Sequence, residues 1–268
     1  MRKIYVPQLE KDIVFSSGKV PDIVLVCGPC RSGTTAFANN FTVAGMESHM
    51  QPMKSVLRER ARGINTLGQE IVFFTPEVLL IKETFGAEST VELFDPVAIL
   101  LDAGYPASKI KVVGMIREPV AAYDSWIRLW GSQINIAVFE GAYRLMNSLH
   151  DRCVREQVTF LPYVPEIIAR NDARDVMKGV ASHLDLPYAA TGAVTWKNTP
   201  KFGDRDETLA HLHFYDKPPE RFIAGVREWG GYVFRNTVER CDHIVPGVSC
   251  AVYARYREAC ERALNMTV

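Results

Sequence analysis

The chain has no excess of either charge: Lys and Arg together number 31, Asp and Glu number 31, and the formal net charge is zero. A broad polyanion-binding surface for nucleic acid or an anionic membrane is therefore not implied, although a small anionic ligand needs only a few local cations. Long apolar runs are missing as well, and none approaches the roughly 18 residues that a membrane-spanning helix requires. The opening Met1-Arg2-Lys3-Ile4-Tyr5-Val6-Pro7, followed by Glu10, Lys11 and Asp12, lacks the apolar centre of a secretory signal. Cysteine is sparse and scattered, at Cys27, Cys30, Cys153, Cys241, Cys250 and Cys260, which is not the dense spacing of a secreted disulfide scaffold. A cytoplasmic setting is the expectation. Internal repeats, biased tracts and linkers are also absent, so a single domain over 1–268 is expected.

What is present is an ordinary globular composition, 47% hydrophobic and 23% charged, in a chain long enough to bury a large core. Short apolar runs alternate with longer amphipathic stretches, the pattern of βαβ units around a parallel sheet. Ile23-Val24-Leu25-Val26-Cys27 reads as a strand buried on both faces. Val78-Leu79-Leu80-Ile81 and Lys111-Val112-Val113-Gly114-Met115-Ile116 read as two more. Helices are expected from Ser32 to about Ala44, from Pro119 onward with Tyr123, Trp126, Ile127 and Trp130 on one face, and over 134–156, 172–185 and 249–265. A short strand is expected over Val158–Tyr163. The stretch 190–232 mixes Gly, Pro, aromatic and charged residues without a period and reads as a long functional loop with short elements.

The strongest local signal is Gly28-Pro29-Cys30-Arg31-Ser32-Gly33-Thr34-Thr35, set between a buried strand and a helix. Glycines permit a tight turn with inward-facing N–H groups, and a helix N-terminus adds positive potential, so a phosphate can be wrapped there. The hydroxyls of Ser32, Thr34 and Thr35 are further donors. The spacing fits the nucleotide-kinase loop G-x-x-x-x-G-K-[ST] except that Thr34 stands where the lysine belongs. Without that lysine the β- and γ-phosphates of ATP lose their counter-charge, and the cation has moved to Arg31 within the loop. A second signal follows downstream. Ile116-Arg117-Glu118-Pro119 lies where a strand gives way to a helix, and Ser125 comes eight residues after Arg117. A guanidinium fork and a hydroxyl on the early helix can converge on one phosphate.

These residues resemble the PAPS-dependent sulfotransferases, where PAPS is 3'-phosphoadenosine-5'-phosphosulfate. Cys30-Arg31-Ser32-Gly33-Thr34-Thr35 is similar to the P-[KR]-S-G-T-T loop that binds the 5'-phosphosulfate in that family, with Cys in place of Pro. Arg117 and Ser125 resemble its 3'-phosphate motif, with Glu118 in place of the usual Asp or Asn. Leu161-Pro162-Tyr163 and His183-Leu184-Asp185-Leu186-Pro187 resemble a further stretch, although Val164 replaces its usual Glu. Lys201-Phe202-Gly203-Asp204 resembles a K-x-G-D segment that lies near the nucleotide in bacterial members. The resemblance implies an α/β, three-layer P-loop-type fold with a central parallel sheet flanked by helices. It also implies PAPS as donor, 3',5'-ADP as product and no metal. The acceptor would be a small molecule, such as an alkaloid or another secondary metabolite, with its hydroxyl or amine sulfated.

Sulfuryl transfer needs a cation near the leaving phosphate oxygen and a base near the acceptor. Arg31 is the first candidate cation, and Lys82 is placed to assist. Lys82-Glu83-Thr84 closes a buried strand, where ligand-binding side chains emerge in open α/β sheets. The cytosolic relatives have K-T-H at this point, with His as base; Thr84 stands at the His position, and Glu83 is the natural substitute. His49 is the rival base, and His211 and His213 are candidates for lining an acceptor site, as are aromatics of 190–232 such as Trp196 and Trp229. Three other readings stay open. A P-loop kinase would need the missing lysine and a Mg²⁺-binding carboxylate. A catalytically inactive PAPS-binding module is compatible with an unassigned base. Cys27-Gly28-Pro29-Cys30 matches the thioredoxin redox motif, in a chain much longer than a thioredoxin. Oligomeric state is not legible.

Overall fold

Ile23-Val24-Leu25-Val26-Cys27 offers apolar side chains to both faces of a strand, so that strand must lie inside a sheet covered on both sides. The computed structural model describes residues 13–15, 20–43, 46–64, 71–73, 77–131, 134–168, 173–186, 212–214 and 248–266. In it the run forms the middle of β2 (Asp22–Pro29), and all five side chains are fully buried. Six strands make the main sheet, in the order β7 (Thr159–Tyr163), β6 (Ile110–Met115), β2, β5 (Val78–Phe85), β3 (Glu47–Met50) and β8 (Leu212–Phe214). Every pairing in it is parallel. A separate parallel pair joins β1 (Ile13–Phe15) to β4 (Ile71–Phe73).

Parallel neighbours demand crossovers, and here helices supply most of them. The described helices are α1 (Thr34–Val43), α2 (Pro52–Ala61), α3 (Pro96–Asp102), α4 (Pro119–Trp130), α5 (Ile136–Arg155), α6 (Pro165–Ile168), α7 (Ala173–His183) and α8 (Cys250–Met266). The two-residue period of the strands sorts the core into layers. Ile23, Leu25, Leu79, Ile81, Ile110 and Val112 meet Met53 and Leu57 of α2, Val97 and Leu100 of α3, and Met146 and Leu149 of α5. Val24, Val26, Leu80, Val113 and Met115 face the other way, onto Phe37 and Phe41 of α1 and Met177 and Val180 of α7. Each fully buried Val, Leu or Ile is worth about 1.5–3 kcal/mol, so the central strands are the most strongly held part of the chain. The architecture is α/β, a central parallel sheet with helices on both faces, as the motifs imply.

Chain order reverses at β2. From it the chain builds β3 and β5 to one side and β6 and β7 to the other, and such a switch opens a crevice beyond the carboxyl ends of the strands. Gly28 permits a close backbone approach at this point: a Cβ there would lie 2.1 Å from the Met115 carbonyl oxygen.

Several elements were not expected from the sequence. The strand β3 carries Ser48 and His49, and both are buried. Next comes α2, unread because its buried face includes Lys54. The strand β8 falls inside the stretch read as irregular, and it pairs with β3. Among the described residues no helix is long and apolar enough to cross a membrane.

Candidate active site

Apart from His213, which lies in β8, the candidate residues that can be placed lie in or near the turns that leave the carboxyl ends of β2, β3, β5 and β6. Three of these turns hold a non-glycine residue at positive φ: Arg31 at 71° after β2, Gln51 at 56° after β3, and Ala87 at 145° after β5. Side chains rarely adopt such conformations, and they concentrate where a site must be shaped.

The phosphate loop is held from below. The Cys30 amide donates to the Phe85 carbonyl at 2.9 Å, and the Trp126 indole donates to the Cys30 carbonyl at 2.8 Å. Cys30 itself donates through Sγ to the Gly86 carbonyl at 2.9 Å. Arg31 and Gly33 both take positive φ, 71° and 88°, and α1 starts at Thr34. Ser32 is fully buried, and its Oγ has no hydrogen-bond partner among the described residues. An unmatched buried hydroxyl costs free energy unless a ligand meets it. Thr34 is buried and Thr35 half-buried beside it.

The two phosphate motifs meet at Arg31. Its Nε donates to Ser125 Oγ at 2.8 Å, while an Arg117 guanidinium nitrogen donates to its backbone carbonyl at 3.3 Å. Arg117 is oriented in turn by Glu166 Oε1, 3.8 Å from its Nε, and its carbonyl accepts from the Tyr143 hydroxyl at 2.7 Å. Glu118 caps α4, accepting from the Val120 and Ala121 amides at 3.0 and 2.7 Å. Glu118 thus fills the capping role that Asp or Asn commonly takes at such a position. Glu166 was not foreseen. It stands two residues after Val164, the position where the expected carboxylate is missing, and it binds the Glu118 amide as well as lying beside Arg117. Burial raises its carboxyl, against the Glu118 amide and Arg117.

On β5, Lys82 and Glu83 point to opposite faces. Lys82 is almost wholly buried and donates to Gln51 Oε1 at 2.6 Å. Burial lowers its ammonium to about 8. Glu83 is wholly buried, and its carboxylate receives the first amides of α2, Met53 at 2.8 Å and Lys54 at 3.4 Å. Burial raises it to about 7, although those amides and the two lysines favour its charged form. The amides of a helix N-terminus are a favourable seat for a carboxylate. Thr84 accepts from the Lys54 ammonium at 3.2 Å.

Lys54 is the cation that the sequence concealed. It is 1% exposed and pairs with Glu92 Oε2 at 3.1 Å. Its Nζ also reaches Cys30 Sγ at 3.3 Å and the Gly86 carbonyl at 2.7 Å. Arg58 binds the other oxygen of Glu92 at 2.7 Å. Burial would raise Glu92, but the two cations outweigh it and hold the carboxyl below its ordinary range.

His49 is fully buried within β3, in register with Ile81 on one side and His213 on the other. Lys201, Phe202, Gly203 and His211 lie outside the described residues, as do Trp196 and Trp229. The Cys27-Gly28-Pro29-Cys30 segment holds two free thiols. Cys27 sits inside β2, and burial pushes its thiol well up from the ordinary value, which suppresses the thiolate that redox exchange requires.

No protein-family profile and no curated protein matches the sequence. By structure the chain is similar to the sulfotransferase domain of the Synechococcus PCC 7002 olefin synthase, at 13% sequence identity and a TM-score of 0.50. The match covers 90% of this chain and 96% of that one. At such identity the likeness concerns the fold: this chain has the sheet-and-helix architecture of a sulfotransferase domain.

Proposed function

We propose that the chain transfers the sulfuryl group of PAPS to a hydroxyl or amine of a small molecule. The observation that carries this reading is the junction at Arg31, where the phosphate loop is bonded to Ser125 and to Arg117 at one edge of a sulfotransferase-type sheet. Two anion-binding sites this close suit a nucleotide with a phosphate on each side of its ribose. The unmatched Ser32 hydroxyl fits a ligand that brings acceptor oxygens into the loop.

In this reading Arg31, Ser32, Gly33, Thr34 and Thr35 hold the 5' side of the donor. Arg117 and Ser125 hold its 3'-phosphate, and Lys201, Phe202 and Gly203 complete the nucleotide contacts. PAPS supplies an activated sulfuryl group whose departure leaves negative charge on a phosphate oxygen. Arg31, at the exposed edge of the loop, and Lys82, buried where such groups act most strongly, meet that charge with preset cations. Glu83 or His49 takes the acceptor proton. Glu83 has the basicity for it at neutral pH, and because it also anchors α2, the effect of replacing it must be read beside stability.

The deciding experiment is calorimetric titration with 3',5'-ADP, with ATP in parallel. Micromolar 3',5'-ADP binding with negligible ATP binding is expected. ATP binding without a response to 3',5'-ADP overturns the reading and points to a kinase.

A further inference from the structure

Lys82 has a partner that no motif announces. Gln51 stands in the turn between β3 and α2 with φ 56° and ψ 46°, a left-handed conformation that glycine and asparagine tolerate and glutamine rarely adopts. It touches Lys82 at both ends. Its amide donates to the Lys82 carbonyl at 2.7 Å, and its side-chain oxygen accepts from the Lys82 ammonium at 2.6 Å. Its own carbonyl accepts the Ser55 amide at 2.9 Å and so opens α2. One residue thus ties the lysine's main chain, the lysine's head group and the start of a helix together.

We propose that Gln51 is the positioning residue that aims the Lys82 ammonium while leaving its charge intact. The proposal rests on the sulfuryl-transfer reading, in which Lys82 faces the leaving oxygen. A buried cation must be hydrogen-bonded or it surrenders its proton. The charged and titratable groups that bear on Lys82 are Cys30 from the phosphate loop, Lys54 and Arg58 from α2, and Glu83 from its own strand; His49 lies one register step away on β3. Lys54 and Arg58 are both committed to Glu92. The Glu83 carboxylate points across the strand, to the amides of α2.

A neutral amide oxygen therefore supplies the contact that holds the head group. The choice of amide over carboxylate has a chemical consequence. A carboxylate at 2.6 Å would form an ion pair and cancel the field that Lys82 offers to a developing anion. An amide oxygen fixes the direction of the ammonium and stabilises its charged form without cancelling it. The strained backbone makes the side-chain contact specific, because it sets where Cβ of residue 51 points.

The test uses the full chain with lysine labelled at the ε-carbon, the Lys82 resonance being assigned by its loss in K82M. In the unaltered protein Lys82 should titrate at about 8. Q51G keeps the left-handed backbone at ease and removes the acceptor; Q51M keeps side-chain length and removes the oxygen. Both should lower the Lys82 midpoint by about one unit or more, since a hydrogen bond to a charged group is lost. Q51E should raise it. Turnover of PAPS, with water or a simple phenol as acceptor, should fall roughly 10- to 100-fold in Q51G and Q51M. Affinity for 3',5'-ADP should fall by less than turnover does, because Lys82 touches only the leaving oxygen while Arg31, Arg117 and Ser125 keep the remaining phosphate contacts. A conventional structural role would leave the midpoint unmoved.

An unchanged midpoint in either Q51G or Q51M overturns the positioning role. If the unaltered chain fails to bind 3',5'-ADP, the sulfuryl-transfer reading falls instead, while the lysine titration still decides whether Gln51 holds the ammonium.

Discussion

Arg31 and Ser125, 94 positions apart in the chain, are joined by a hydrogen bond of 2.8 Å from guanidinium to hydroxyl. The bond couples the loop after β2 to the helix after β6, so the two halves of the candidate phosphate-binding edge are set by each other. R31A and S125A should each weaken 3',5'-ADP binding, and the double variant should lose less than the sum of the two. A coupling of about 0.5–3 kcal/mol is expected for side chains in contact. Strict additivity in calorimetric titrations would show that the contact has no part in binding.

Arg117 is held by Glu166 and touches the loop through the Arg31 carbonyl. R117A should reduce 3',5'-ADP affinity by roughly 10- to 150-fold, the worth of a charged hydrogen bond, and should flatten the dependence of affinity on salt. Affinity equal to that of the unaltered protein would remove the second phosphate site.

Glu83 links acidity to stability. Burial raises its folded value to about 7, above the ordinary value of about 4.3 in an unfolded chain. The folded state therefore binds this proton more tightly. The stabilising contribution is complete below about pH 4 and is lost as pH rises through about 7. E83Q does not titrate, so its stability relative to the unaltered protein should improve across that window, by an amount of order 3 kcal/mol. The Lys82 titration near 8 carries the opposite sign, and because Glu83 acts on it E83Q shifts it as well, so the difference below about pH 7 reports Glu83 most directly. Parallel stability curves from denaturant melts between about pH 5 and 8 would refute the assignment.

Lys54, Glu92 and Arg58 form two cations on one carboxylate, and the loss of each has a different cost. E92A leaves Lys54 buried without its counter-charge, which should cost about 3–5 kcal/mol. K54M leaves Glu92 still bound to Arg58 and should cost distinctly less. In thermal melts E92A should fall by roughly 10 °C or more, with K54M between it and the unaltered protein. The reverse order would contradict the buried pairing.

The parts of the fold that sequence exposes are those with an uninterrupted apolar signature. The strands β2, β5, β6 and β7, and the helices α1, α4, α5, α7 and α8, lie within a few residues of where periodicity and punctuation put them. The strand β3 escaped because Glu47-Ser48-His49-Met50 looks polar. Its hydroxyl is satisfied internally, with Ser48 Oγ 2.7 Å from Thr42 Oγ1. The helix α2 escaped for the same reason, since Lys54 and Arg58 look like solvated charges until Glu92 arrives from 34 or more positions away. Of the candidate site, Arg31, Ser32, Arg117 and Ser125 were singled out by glycine spacing and by the offset between an arginine and a serine, and the fold brings them together. Gln51, Lys54 and Glu166 were not, because each acts on a partner 31 to 49 positions distant in the chain.

Gly28 changes how this motif should be read in other chains. Its missing side chain is demanded by the Met115 carbonyl at the seam between two strands, a requirement that holds whether or not any nucleotide is bound. A descendant of this protein that had given up its chemistry would keep that glycine for as long as it kept its sheet. Arg31 is under no such obligation. In a survey of homologues, drift at Arg31 against a constant Gly28 would mark the branches where the fold outlived the proposed reaction.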